Sequence, residues 1–148
     1  MVTLVEINDA FSSIATVHRQ INTYGIGDPW ELATSGTTRY PVMWATPDTG
    51  RMDDPGTYVS RWKVLLLDLV KSDESNETDV LSDMEQVALD VVALLTNPAF
   101  LTYDFHVDHT SVTIERVTEK FDDLLAGVLM TIEIRCPFNL DRCAVPQT

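Results

Sequence analysis

Val128-Leu129-Met130-Thr131-Ile132-Glu133-Ile134-Arg135-Cys136-Pro137-Phe138 is the stretch that decides the fold. Val128, Met130, Ile132, Ile134, Cys136 and Phe138 alternate with Leu129, Thr131, Glu133, Arg135 and Pro137. A period of two is the mark of a strand with one face on a core. Immediately before it, Phe121-Asp122-Asp123-Leu124-Leu125-Ala126-Gly127 breaks the alternation and reads as a bulge or short helical turn. Further upstream the alternation returns. Val112 and Ile114 lie within a strand predicted over Ser111 to Glu119. Leu101, Tyr103, Phe105 and Val107 alternate with Thr102, Asp104, His106 and Asp108, with His109-Thr110 as the turn between.

The pattern changes to helical on the N-terminal side of this β region. Leu81, Met84, Val87, Ala88, Val91, Leu94 and Leu95 keep i, i+3, i+4 spacing, which predicts a helix from about Asp79 to Thr96, closed by Asn97-Pro98. Thr78 or Ser75 suits its N-cap, and Glu77, Asp79, Asp83 and Glu85 favour its positive end. Before it lie a polar linker, Lys71 to Thr78, and a long strand, Tyr58 to Val70, whose Val64 to Leu67 is apolar on both faces. Arg39 to Thr46 predicts the partner strand, with Pro41 arguing that it lies at a sheet edge or begins beside one. The turn formers from Pro47 to Gly56 predict a projecting hairpin loop over about 46–57. Leu4, Ile7, Phe11, Ile14 and Ile21 form the stripe of a first helix, with His18 on the same stripe. Gly25 and Gly27 read as its exit, and Asp28 to Thr38 as a loop.

The predicted order is therefore α-β-β-α-β-β-β. It defines an α+β domain spanning 1–148: an antiparallel sheet of about four to five strands, two helices on one face, and an irregular tail over about 139–148. The opposite sheet face is expected to be wet or to meet a neighbouring subunit.

Charge narrows the function. Ten Lys+Arg against 23 Asp+Glu give a formal charge of −13, and the pI is near 4.3. That balance opposes a grip on nucleic-acid phosphates or on an anionic membrane. The N-terminus lacks the basic start and apolar core of a signal peptide, and no apolar run approaches the ~18 residues that span a bilayer. Cys136 and Cys143 form no CxxC motif, and reduced thiols are expected.

No catalytic constellation stands out. His106, Asp108 and His109 are the best metal candidates, but a strand puts His106 and Asp108 on one face and His109 on the other, so a solvated strand face is the expected reading. His18 reads as a hydrogen-bonded core or interface histidine. Gly25-Ile26-Gly27 lacks the strand-turn-helix setting of a dinucleotide site, and Asp53-Asp54 and Asp122-Asp123 lack calcium-loop spacing. No cofactor and no metal are expected. The hairpin loop carries Arg51 and Met52 beside Asp53 and Asp54, which suits either a solvated tip or an arm reaching an adjacent subunit, with Arg51 pairing an acid there. Phe121, Leu124 and Leu125, if exposed, would suit a subunit contact.

Tyr40-Pro41-Val42-Met43-Trp44 after a short N-terminal helix resembles the opening of tailed-phage tail terminator and tail completion (head-tail joining, neck) proteins. The hairpin, the second helix and the closing Phe121-to-Pro137 run are similar to that group as well, over roughly Met1 to Phe138. The resemblance implies a non-enzymatic virion protein, assembled in the host cytoplasm. Such proteins form a ring, typically of six subunits, that terminates the tail tube and joins it to the head-neck complex. A ring closes by heterologous contacts. Its partners would be the tail tube protein and neck or head-completion proteins, with no membrane involved. Genome DNA would pass through an acidic channel without specific binding, and Asp104, Asp108, Glu115 and Glu133 are the candidate channel-facing acids. The tail Asn139 to Pro146 departs from the group. Alternative readings are another ring or adaptor protein of the phage neck, a small acidic ligand- or metal-binding α+β domain, and an acidic mimic of DNA.

Overall fold

A computed structural model describes residues 3–28, 39–53, 55–71, 73–97, 104–120 and 124–138, the side chains of 119 and 120 excepted. The chain begins with α1 (Leu4–Val17), whose start is fixed by a reciprocal cap. The Glu6 amide donates to Thr3 Oγ1, and the Thr3 amide donates to Glu6 Oε2 at 2.7 Å. The helix stops four residues short of the expected Ile21. Ile21 is buried all the same, because the turn after His18 folds back and the Ile21 amide donates to the His18 carbonyl. Its place on the apolar stripe reflects burial and not helix.

Next comes β1 (Thr23–Ile26), a strand that the glycine pair concealed. β1 runs parallel to β2 (Val42–Met52), which is followed by β3 (Thr57–Leu69), α2 (Glu77–Leu95), β4 (His106–Val107), a 3₁₀ turn (His109–Ser111), β5 (Thr113–Lys120) and β6 (Leu124–Pro137). These make a six-stranded sheet in the order β1-β2-β3-β6-β4, with β5 also pairing β6; every pair but β1–β2 is antiparallel. The α+β class and the order of the other elements are as the sequence predicts, with six strands in place of four to five.

Four expectations are corrected. Of the two places offered for the Pro41 strand, the sheet edge itself is excluded: β2 lies between the edge strand β1 and β3, and Pro41 precedes the first paired residue, Val42, so its missing amide costs no ladder bond. The projecting loop over 46–57 shrinks to a short turn, because pairing continues through Arg51↔Val59 and Met52↔Tyr58 after an irregularity between Pro47 and Gly50, and β3 is flanked there by β6 as far as Thr57↔Pro137. Leu124 to Gly127 belong to β6 itself. The N-cap of α2 is Asn76, not Thr78 or Ser75; the Asn76 side chain instead accepts from the Lys71 amide at 2.8 Å and closes the linker.

The even-numbered positions of β3 and β6 face both helices. Trp62, Val64, Leu66, Val128, Met130, Ile132, Ile134 and Cys136 are buried against Ile7, Phe11 and Ile14 of α1 and Met84, Val87 and Val91 of α2. Phe11 meets Trp62 with ring centroids 5.4 Å apart. Burial pushes the Cys136 thiol above its ordinary value, and the thiol is free. Cys143 and the tail 139–148 lie outside the described residues.

Candidate functional site: a charged face and an apolar groove

The odd-numbered positions of β3 and β6 form the face away from the helices, and the face has two halves. One is apolar: Val42, Leu65, Leu67 and Leu125 are buried there, with Tyr40, Trp44, Val117 and Leu129 packed around them. Leu125 is therefore closed to a subunit contact, and Leu124 points the other way, half-buried against the helix-side core. The reason is the pleat, since neighbouring strand residues must part to opposite faces. Phe121 and Asp54 lie outside the described residues.

The other half is charged and closely paired. Arg51 on β2 donates to Glu133 on β6 at 3.0 Å, across the intervening β3. Arg61 meets Asp48 at 3.3 Å. Arg135 donates to Asp53 and lies 3.6 Å from Asp108. Four of the residues singled out by sequence are thus in ion pairs on this face, Arg51 with Glu133, and Asp53 and Asp108 through Arg135, which sequence reasoning passed over. Its signal was available: the alternation that places Glu133 on the wet face places Arg135 there too.

Asp108 owes its position to the interrupted edge strand between β4 and β5. Its side chain caps the 3₁₀ turn by accepting from the Thr110 hydroxyl at 2.7 Å and the Thr110 amide at 3.1 Å. The Thr110 hydroxyl, aided by the Thr110 amide and Arg135, holds the Asp108 carboxyl below the ordinary carboxylate range. Asp53 and Asp108 in turn hold Arg135 firmly protonated. The Ser111 hydroxyl fills the gap left in the ladder, accepting from the Glu133 amide at 3.1 Å and donating to the Asp108 carbonyl at 2.6 Å. Glu133 is therefore engaged through both its backbone and its carboxylate. Of the other acids named for a channel, Glu115 stands exposed on β5 and Asp104 lies exposed before β4.

His106 sits opposite Arg135 in the β4–β6 register, and His109 opens the 3₁₀ turn. Among the described residues, no three of His, Cys, Asp and Glu are grouped as a metal site would require. Likewise, no helix among them is long and apolar enough to cross a membrane.

His18 ties the two helices together. Its Nε2 stands 2.9 Å from Asp90 Oδ2, and its Nδ1 accepts from the Gln20 amide at 3.2 Å. With Nδ1 as acceptor, the proton lies on Nε2, which donates to Asp90. Gln86 holds the other Asp90 oxygen at 3.2 Å. This is the hydrogen-bonded histidine that the helix stripe predicts, at a helix–helix contact.

Met52 lies on the helix side of the sheet. It lines an open apolar groove of about 520 Å³ with Leu4, Val5 and Ile7 of α1, Tyr58 and Ser60 of β3, and Phe138. The chain matches no protein-family model, and no curated protein is significantly similar to it.

Proposed function

We propose that this chain is a structural virion protein that forms a ring at the tail or neck of a tailed phage, terminating the tail tube and joining it to the head-neck complex. The observation that carries the reading is the architecture: a single mostly antiparallel sheet, backed by two helices, whose elements follow the order of the resemblance apart from the added parallel strand β1. Charge gives secondary support. On the paired half of the far face, Arg51, Arg61 and Arg135 nearly balance Asp48, Asp53, Asp108 and Glu133, so nearly all of the chain's charge of −13 falls on the rest of the molecule. An acid-rich surface lining a ring would let DNA slide past without adhering, while a nearly neutral, arginine-rich face is one on which another subunit can sit with little like-charge repulsion. In this reading Arg51 steadies its own sheet through Glu133, and the exposed acid Glu115 is a better channel-facing candidate than the paired Asp108 and Glu133.

Electron microscopy of the purified full chain tests the reading. Closed rings of uniform diameter are the expected result. Dispersed single particles at every concentration, with and without added salt, count against it.

A further inference from the structure

The apolar groove between α1, the hairpin and Phe138 holds a buried polar atom in its wall. Its lining is almost wholly apolar, and Val5 at 68% exposure, Leu4 at 53% and Met52 at 49% leave that apolar surface open. Ser60 is the exception: it is 4% exposed and is the one buried polar residue among the described residues. An indole nitrogen can only donate, so Trp62 Nε1, 3.0 Å away, gives its proton to Ser60 Oγ. The hydroxyl's own hydrogen is left over, and among the described residues the Ser60 side chain makes no second hydrogen bond. A buried donor with no acceptor is costly, and an acceptor brought from outside removes that cost. Beside it, the Tyr58 hydroxyl lies over Gly50, where any side chain would collide with it, so the Tyr58 ring lies along the sheet as part of the groove wall.

From these we propose that the groove is a binding site for a small neutral acyl ester, whose aliphatic chain lies along Leu4, Val5, Ile7, Met52 and Phe138 and whose carbonyl oxygen accepts from the Ser60 hydroxyl. Size agrees: at about 520 Å³ the groove falls within the range of roughly 300–1,000 Å³ typical of small-molecule sites. So does the chemistry of the wall, apolar throughout with a single placed donor, which is the usual division between affinity and orientation. Charge selects the neutral ligand. No lining residue is charged, so a carboxylate would leave water without finding a counter-ion. A second copy would have to bring −13 against −13 to reach the same place. The proposal is independent of the ring reading.

The test titrates methyl octanoate into the full chain and follows the backbone amides by NMR. Saturable shifts should gather at Val5, Ile7, Tyr58 and Ser60. Val5→Asp, at an exposed position of the first turn of α1, should weaken binding about tenfold or more by placing a charge in the apolar wall. Leu89→Asp, on exposed α2 surface, should leave it unchanged. The octanoate ion, with the same chain, should bind about tenfold more weakly than the ester or worse. In the unsubstituted chain, the carbonyl stretch of an isotope-labelled ester should fall below its value in an apolar solvent, as a hydrogen-bonded carbonyl requires, and Ser60→Ala should return it. Absence of saturable shifts up to the solubility of the ester would overturn the proposal. Equal binding by Val5→Asp or by octanoate would also sink it, as would a bound carbonyl stretch at the apolar-solvent value. A change of particle mass in Val5→Asp, with no ester bound by the unsubstituted chain, would give the groove to a second copy instead.

Discussion

Arg51 and Glu133 lie 82 positions apart in sequence and 3.0 Å apart in space, joined across β3 on the face of the sheet that no described helix covers. One comes from the turn-rich hairpin and the other from the strand that decides the fold. Their pairing shows that the hairpin end is part of the sheet and not an arm projecting from it.

The pair's energy is small. Arg51 is 49% exposed and Glu133 20%, and exposed ion pairs contribute about 0–1 kcal/mol. Arg51→Ala should therefore move the urea midpoint by the equivalent of less than about 1 kcal/mol, with the slope unchanged. A larger loss would mean that Arg51 has a second partner.

His18 should matter more. It is nearly enclosed, and removing it strands the Asp90 contact and the Gln20 amide at once. His18→Ala is expected to cost about 1–3 kcal/mol in chemical denaturation at neutral pH. A cost near zero would show that the helices hold together by apolar packing alone.

Gly25 gives a sharper steric test. A methyl group there would sit 2.1 Å from the Trp44 ring, whose Nε1 donates to the Gly27 carbonyl at 3.1 Å. Gly25→Ala should destabilise by about 1–3 kcal/mol and shift tryptophan emission to the red as the ring is displaced. An unshifted spectrum would contradict this packing.

Gly25 also shows where the sequence stops being readable. In isolation, Gly25-Ile26-Gly27 is indistinguishable from a helix exit, and only the ring of Trp44, far along the chain, explains why β1 needs a bare residue there. Local periodicity carried most of the fold: the stripe of α2 and the alternation of β6 are buried as they predict. Long-range partners were hidden. Alternation placed Asp108, Glu133 and Arg135 in strands but could not say that Arg135 would reach Asp53 from the hairpin. The turn-rich run Pro47 to Gly56 looked like a loop because turn formers are judged without their neighbours, whereas β3 pairs with much of it.

Acid should act on the paired face. The Thr110 hydroxyl, with help from the Thr110 amide and Arg135, depresses the Asp108 pKa in the folded chain. A depressed carboxylate favours the fold above its unfolded value of about 3.9, and that contribution is lost as pH falls through the folded value. Carbon-detected NMR titration of Asp108 should give a midpoint below the ordinary carboxylate range, and Thr110→Val should move it upward. An unmoved midpoint would show that the hydroxyl is not the main cause.

Ring assembly is the central claim, and the particle mass of the purified full chain tests it most directly. Light scattering behind a sizing column, at low and high salt, should give one discrete mass that is a closed multiple of the 16.6 kDa chain, with six copies expected. A single 16.6 kDa species across the whole concentration range at both salts would contradict the ring.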